Sequence, residues 1–500
     1  MGRVEIMKFA GNLRGRFILE FRTVHCVSKL RMTISNFVHH VVFVPENIKE
    51  KRPSHLTNSR FSVLVRLLFA VVLLLLASPA EAQDAAPKID TGDTAWILAS
   101  TALVLFMTIP GLSLFYAGLV RRKNVLSVLM HCFVLTAVMT VLWLVCGYSL
   151  AFSTTGMTKD AVNLRSFVGS FDLAMLGGVN ADTVEGTIPK LLHFIFQMTF
   201  FIITPALMVG AFVDRMRFSA MLMFTTLWAL VVYAPICHMV WGGVGGYFFD
   251  KGVQDFAGGI VVHITAGVGA LVACIMVGPR NGYPVKQMMP HNLPMTVTGA
   301  GMLWVGWFGF NGGSALGANG GAASAIVVTQ ISAATATLVW MFVEWFKHGK
   351  PSMLGAATGS IAGLAAITPA SGTVGPIGAL CIGAMAGFIC WWASTQLKKK
   401  FGYDDSLDVF GVHGVGGFLG TVMLAVFMAP GIGGLGGTDY SIAKQFGIQL
   451  SAALATVVYT VVATFVILKV TDALLGLRVN EGDETTGLDL AYHGEDAYND

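Results

Sequence analysis

The sequence predicts an all-α polytopic membrane protein of eleven transmembrane helices, a 5+5 inverted repeat plus one C-terminal helix. Three observations carry this. Hydrophobic residues make up 55% of the chain and charged residues 12%, where soluble chains carry about 25% charged. The apolar runs are continuous over about 20 residues and do not alternate, which selects helices over a barrel. Basic residues collect in every second connection, the pattern that orients helices in a membrane.

Residues 1–60 are basic, polar and irregular, and read as an N-terminal extension unrelated to the rest; Met32 offers an alternative start. Residues 61–82 read as a signal peptide. An apolar core from Leu67 to Leu76 is flanked by Arg60 and Arg66, and Ala80-Glu81-Ala82 before Gln83 makes a small-x-small cleavage site. A retained signal anchor is the rival reading.

The transmembrane domain is expected over 94–475. Its apolar segments are 94–120, 125–152, 189–213, 218–237, 257–278, 293–313, 321–346, 352–370, 374–397, 407–429 and 446–475. Connections after odd-numbered helices hold Arg121, Arg122 and Lys123; Arg215 and Arg217; Arg280 and Lys286; Lys347 and Lys350; and Lys398, Lys399 and Lys400. The other connections hold few basic residues. The expected topology is therefore a multi-pass protein of the inner (cytoplasmic) membrane, N-terminus outside, with 476–500 as a cytoplasmic tail. That tail is polar and acidic, and by composition a disordered end. The net charge of +4 is spread over loops and points to no nucleic acid. Seven cysteines lack paired or CxxC spacing and read as small buried hydrophobes, with neither a metal site nor a cofactor implied.

Eleven divides as five, five and one, with repeats over about 94–278 and 293–429 and helix 11 over 446–475. Phe115-Tyr116-Ala117-Gly118 in helix 1 has an echo in Phe310-Asn311-Gly312-Gly313 of helix 6. Helix 5 is entered through Asp255 and holds His263; helix 10 is entered through Asp408 and holds His413. An odd helix number per half requires inversion, which puts a transport site near the midplane between the halves. At 1.5 Å per residue His263 lies about 12 Å below Asp255, and His413 about 8 Å above Asp408. In a core about 30 Å thick, the two histidines approach the middle from opposite faces. Polar groups at that depth are expensive and are functional candidates. His131 has no counterpart and reads as structural. Asp255 is too far along its helix to hydrogen-bond His263; it either braces the first turn, the favoured reading, or attracts cations. Asp408 is read as the same case on the inner side.

Aromatic residues near helix ends, including Phe196, Phe200, Trp307, Phe308 and Phe310, would ordinarily be interface belts or packing. Trp241 differs, lying beside Gly242-Gly243 with no basic neighbour, so that its ring face could hold a cation. Ser314 could accept a hydrogen bond from the same ion, although by residue type alone it is a turn residue.

These stretches together resemble the ammonium transporter family (Amt/Mep/Rh), from about Thr94 to the last residue. The motifs are TALVLFMTIPG over 101–111, LFYAG over 114–118, DFAGGIVVH over 255–263, GWFGFNGGS over 306–314 and DDSLDVFGVHG over 404–414. The Amt/Mep branch fits better than the Rhesus branch, because Trp241 and Ser314 match its outer cation site. The resemblance implies an external ammonium site at Trp241, Ser314 and Phe196, a gate of Phe200 and Phe310, and hydrogen-bonded twin pore histidines, His263 and His413. It also implies an Asp255 needed for transport and a homotrimer with one pore per subunit. The tail (Gly476 to Val479, Gly487 to Asp489, His493 to Glu495) is implied to contact a neighbouring subunit, and the inner face to bind a PII-type signalling protein. One departure is Phe201, where many relatives have a small residue; it would narrow the entrance or face lipid.

Ammonium and potassium ions carry equal charge at similar size, so a dry pore cannot sort them by radius. Ammonium alone can escape the cost of desolvation by losing its proton. The expected function is therefore ammonium recruitment outside, deprotonation at the gate, and ammonia conduction past the histidines, with methylammonium as an analogue. No enzymatic step is implied. Two rivals remain: an ammonium sensor, which would carry a fused signalling domain that 476–500 has no room for, and a membrane redox protein using the histidines as haem ligands.

Overall fold

The computed structural model describes residues 88–498. The expected extension over 1–60 and the signal peptide over 61–82 lie outside the described residues. Among the described residues ten helices are long and apolar enough to cross a membrane: α1 (Thr91–Leu119), α2 (Arg122–Phe152), α3 (Lys190–Phe212), α4 (Phe218–Trp241), α5 (Gly259–Val277), α7 (Gly320–His348), α8 (Met353–Ala370), α9 (Pro376–Phe401), α10 (Phe410–Phe427) and α11 (Ile442–Leu475). Between α5 and α7 runs α6 (Leu293–Gly313), 21 residues long. It is helical as expected but is not among the ten, because glycine, threonine and tryptophan dilute its hydropathy. Ten of the eleven expected spans thus meet the criterion of length and hydropathy.

Helix starts follow local chemistry. Asp90, Asn292, Asn319, Ser352 and Ser441 each turn a side-chain oxygen onto an N–H of the first turn of α1, α6, α7, α8 and α11, which satisfies donors the helix itself leaves open. The α2–α3 connection is long, with short helical turns and a two-residue antiparallel pair, Val184–Glu185 with Ile188–Pro189.

The centre of the bundle is the crossing of α5 and α10. Both begin with a wide π-type turn, Gly259–Ile264 and Phe410–Gly414, and each turn contains one of the two histidines. Such turns are rare and concentrate at functional sites. Glycine sets the separation: a Cβ on Gly267 would land on the backbone of Gly414, and one on Gly417 would lie 2.6 Å from the His263 Cβ. Small residues let membrane helices approach backbone to backbone.

At one face, here the basic face, charged side chains tie the connections together. Arg280 forks onto Asp404 at 2.9 and 2.7 Å and reaches Asp214 at 3.7 Å; Asp214 also meets Arg121 at 3.3 Å. Arg215, fully buried, donates to the carbonyls of Gly278 (2.6 Å) and Asp404 (2.5 Å) and to the Ser406 hydroxyl (2.7 Å). Four connections are thereby linked by groups that would be costly to bury alone.

The tail docks on this face of its own chain, contrary to the disordered end its composition suggests. Val479 N–H donates to Arg215 O at 3.0 Å. Glu484 accepts from Arg478 and from Asn281 N–H, both at 2.7 Å. The Asp489 carboxylate accepts from Leu126 and Ser127 N–H at 3.0 and 2.7 Å, so it caps the start of α2. Glu484 and Asp489 thus each have specific partners, which composition cannot reveal.

Gly267→Val is expected to cost the detergent-purified protein about 1–3 kcal/mol through overpacking, read as a lowered melting temperature. Gly301→Ala, at a position where an added Cβ meets nothing within 4 Å, should leave the melting temperature unchanged.

Candidate functional site

The candidate site begins opposite the basic face. Trp241 ends α4, and its indole N–H donates to the Asp255 carbonyl oxygen at 2.7 Å. Its ring meets Phe200 edge-on at 5.8 Å between centroids. Phe196 meets Phe200 edge-on at 5.1 Å, one helical turn earlier on α3. Gly313 makes this possible, since a Cβ there would lie 2.9 Å from the Phe196 ring. Phe200 packs against Phe310 of α6 at 4.4 Å. The Ser314 hydroxyl donates to the Phe310 carbonyl at 2.8 Å, which leaves its oxygen lone pairs available to a further donor.

Phe310 lies over His263 at 6.1 Å and 22° between planes; Trp307 stacks on the same imidazole at 5.5 Å and 24°. The Trp307 N–H is satisfied by Thr368 Oγ1 at 2.9 Å. His263 and His413 then stack at 5.2 Å and 19°, with Nδ1 to Nδ1 at 3.3 Å. The two histidines, 150 residues apart in sequence, are brought into contact. In a neutral pair one Nδ1–H donates to the other Nδ1. The donor ring then has a bare Nε2, and its partner carries an Nε2–H. The pair therefore offers one acceptor and one donor to whatever lies beside it. His263 Nε2 is buried with no partner among the described residues.

Around the histidines is a chamber of about 10 Å³, walled by Leu112, Ile203, Leu207, Val262, Leu303 and other apolar side chains. Beyond His413 it opens into a vestibule of about 310 Å³ that reaches Arg280, Lys398 and Asp408 on the basic face. Phe115, Ile361 and His413 line both spaces.

Asp255 is buried, and its two oxygens accept from the N–H groups of Gly258 (3.0 Å), Gly259 (2.6 Å), Ile260 (2.8 Å) and Val261 (3.0 Å). It caps α5, the bracing role. On the other half that place is taken by Asp405, whose carboxylate accepts from Phe410 N–H at 2.8 Å. Asp408 is instead ion-paired with Lys398 at 2.7 Å. Burial pushes both capping carboxyls up to about 6, against the pull of the helix donors and, at Asp405, of Lys398. The signal was present in the sequence: Asp255 precedes His263 by eight residues, and Asp405 precedes His413 by the same eight.

One further residue differs from expectation. Phe201 neither narrows the entrance nor faces lipid. It is fully buried between Trp143 (4.8 Å) and Tyr233 (5.4 Å), because its neighbour Phe200 points toward the route. Trp307, one of the expected belt or packing aromatics, is buried and packs on His263. His131 lies outside the route, stacked on Phe218 at 5.7 Å.

A helical bundle with a narrow apolar path opening into a wider polar vestibule defines the class: a polytopic membrane transport protein. The chain belongs to the Ammonium Transporter Family, whose family model matches residues 95–498. An ammonium transporter of Aquifex aeolicus (strain VF5) is 46% identical over 433 residues, covering 86% of this chain and 98% of its own. One of Bacillus subtilis (strain 168) is 45% identical, covering 82% and 99%. The crystal structure of Candida albicans Mep2 aligns with a TM-score of 0.72 at 34% identity, over 79% of this chain and 88% of that one. A Sensor Amt Protein aligns with a TM-score of 0.74 at 27% identity, over 80% and 98%.

Asp255→Ala and Asp405→Ala each leave buried helix donors open and are expected to cost about 1–3 kcal/mol. Asp408→Ala, which loses a partly exposed ion pair, should cost about 1 kcal/mol or less. Chemical denaturation of the three purified variants ranks them.

Proposed function

We propose that the protein transports ammonium across the cytoplasmic membrane and that ammonia is the species crossing its centre. The observation that carries this reading is the pair of touching imidazoles in a chamber otherwise walled by apolar side chains. A chamber of about 10 Å³ has no space for an ion's hydration shell, and a bare cation there would pay a desolvation cost of many kcal/mol. Ammonia pays far less and can use the donor and acceptor that the neutral pair presents.

Ammonium is recruited at Trp241, against the ring face and near the free lone pairs of Ser314, with Phe196 alongside. Phe200 and Phe310 close the way inward, and at this gate the ion gives up its proton, either to the outer solvent or to the histidine pair for relay inward. Ammonia passes His263 and His413 and regains a proton in the wide vestibule, where water fits. Asp255 acts by holding the first turn of α5, and with it His263, in position. The density of basic residues around the vestibule supports a cytoplasmic location for that face, with the C-terminal tail inside and the N-terminus outside. Within this reading the protein works as a homotrimer embedded in lipid, and a PII-type signalling protein docks on the cytoplasmic face.

A haem reading fits poorly, because imidazoles in mutual hydrogen-bond contact leave no gap for a porphyrin between them. A sensing role is separated by uptake of labelled methylammonium into proteoliposomes. Uptake saturating with ammonium and unaffected by potassium supports transport; its absence in well-folded protein overturns it. Replacing the imidazoles with charge, as His263→Asp with His413→Glu, should make potassium compete with methylammonium, because carboxylates would offset ion desolvation. Potassium exclusion surviving that double change counts against deprotonation as the basis of selectivity.

A further inference from the structure

One charged side chain of the conduction route has no part in the scheme above. Lys398, near the end of α9, lines the vestibule together with His413 and Asp408. Its Nζ donates to the Asp405 carbonyl oxygen at 2.7 Å and to Asp408 Oδ1 at 2.7 Å. Asp408 presents that carboxylate from a backbone with φ of +60°, a left-handed conformation that aspartate tolerates better than most non-glycine residues. Arg280, another cation of this wall, is already engaged by Asp404 and Asp214.

The terminal group of a lysine is an alkylammonium. It has the charge and the N–H donors of the ammonium ion, on a tether. We propose that the Asp405 carbonyl and the Asp408 carboxylate form a cation site for ammonium and alkylammonium ions at the inner end of the route, and that Lys398 keeps it filled. This rests on the transport reading. As ammonia leaves the histidines and regains a proton, the nascent ion meets a site whose acceptors are occupied by a group of its own chemistry. It therefore leaves through the vestibule without binding. Without the lysine, a carboxylate five residues before His413 and a carbonyl eight residues before it face the exit, and product binds there and obstructs the next ammonia.

The test is methylammonium uptake by the full chain, oriented outside-out in proteoliposomes preloaded with increasing ammonium chloride. Lys398→Met and Lys398→Gln remove the tethered ammonium. Each is expected to lower the luminal ammonium concentration giving half-inhibition on the order of tenfold, the scale of one charge-assisted contact. Lys398→Met combined with Asp408→Asn should return the wild-type value, since the carboxylate is then gone as well. Wild-type sensitivity in either single variant overturns the proposal, as does a double variant that stays sensitive. If neither single variant yields folded protein by size exclusion and circular dichroism, Lys398 belongs to the scaffold and the proposal also fails. Wild-type protein without uptake refutes the transport reading itself; wild-type uptake with unaltered variants refutes only the role of Lys398.

Discussion

At the centre of the bundle two helices cross at a separation that only glycine permits. Gly267 of α5 faces the backbone of Gly414, and Gly417 of α10 lies beneath the Cβ of His263. A methyl group at Gly267 or Gly417 would push the helices apart. The contact between His263 and His413 depends on that closeness, because an imidazole reaches only a few ångström from its backbone. The wide turns that carry both histidines accompany the same crossing. In lipid, where burying apolar surface gives helices no net reason to associate, such close packing is a main source of cohesion.

A bundle with so polar a centre needs its ends secured. Asp255 and Asp405 take up the open donors at the starts of α5 and α10, so each histidine sits a fixed distance from a capped terminus. On the basic face Arg280 and Arg215 bind the connections to one another. The tail extends this network through Glu484 and Asp489. Charge is excluded from the chamber and concentrated at the basic face, where each charged group in the network has an oppositely charged or hydrogen-bonding partner. That separation gives the route its chemical profile: aromatic at one end, apolar around two imidazoles, polar and wide at the other.

Much of this was legible in the residue order. Composition and run length imply helices in a membrane, since 55% hydrophobic content in continuous stretches has no other stable form there. The depth of His263 and His413 follows from helical rise alone, and their encounter from the idea of two related halves. The eight-residue interval from Asp255 to His263 recurs from Asp405 to His413, yet Asp408, nearer the helix, is the more conspicuous acidic residue by position. Hydropathy alone under-reads α6, because the glycines that let it approach α1 and Phe196 also dilute its apolar content.

Sequence by itself determined the membrane-spanning helices, the face that gathers basic residues, the family and the identity of the buried histidines. These depend on local hydrophobicity, charge and motif order, which are properties of the chain in one dimension. Tertiary structure alone decided that Phe201 turns into the α2–α4 interface while Phe200 meets Phe310, that Trp307 supports His263, and that Asp408 holds Lys398. It also decided that an acidic tail docks by capping α2. Each of these depends on which groups stand within a few ångström of one another across tens to hundreds of residues, and only packing sets such distances.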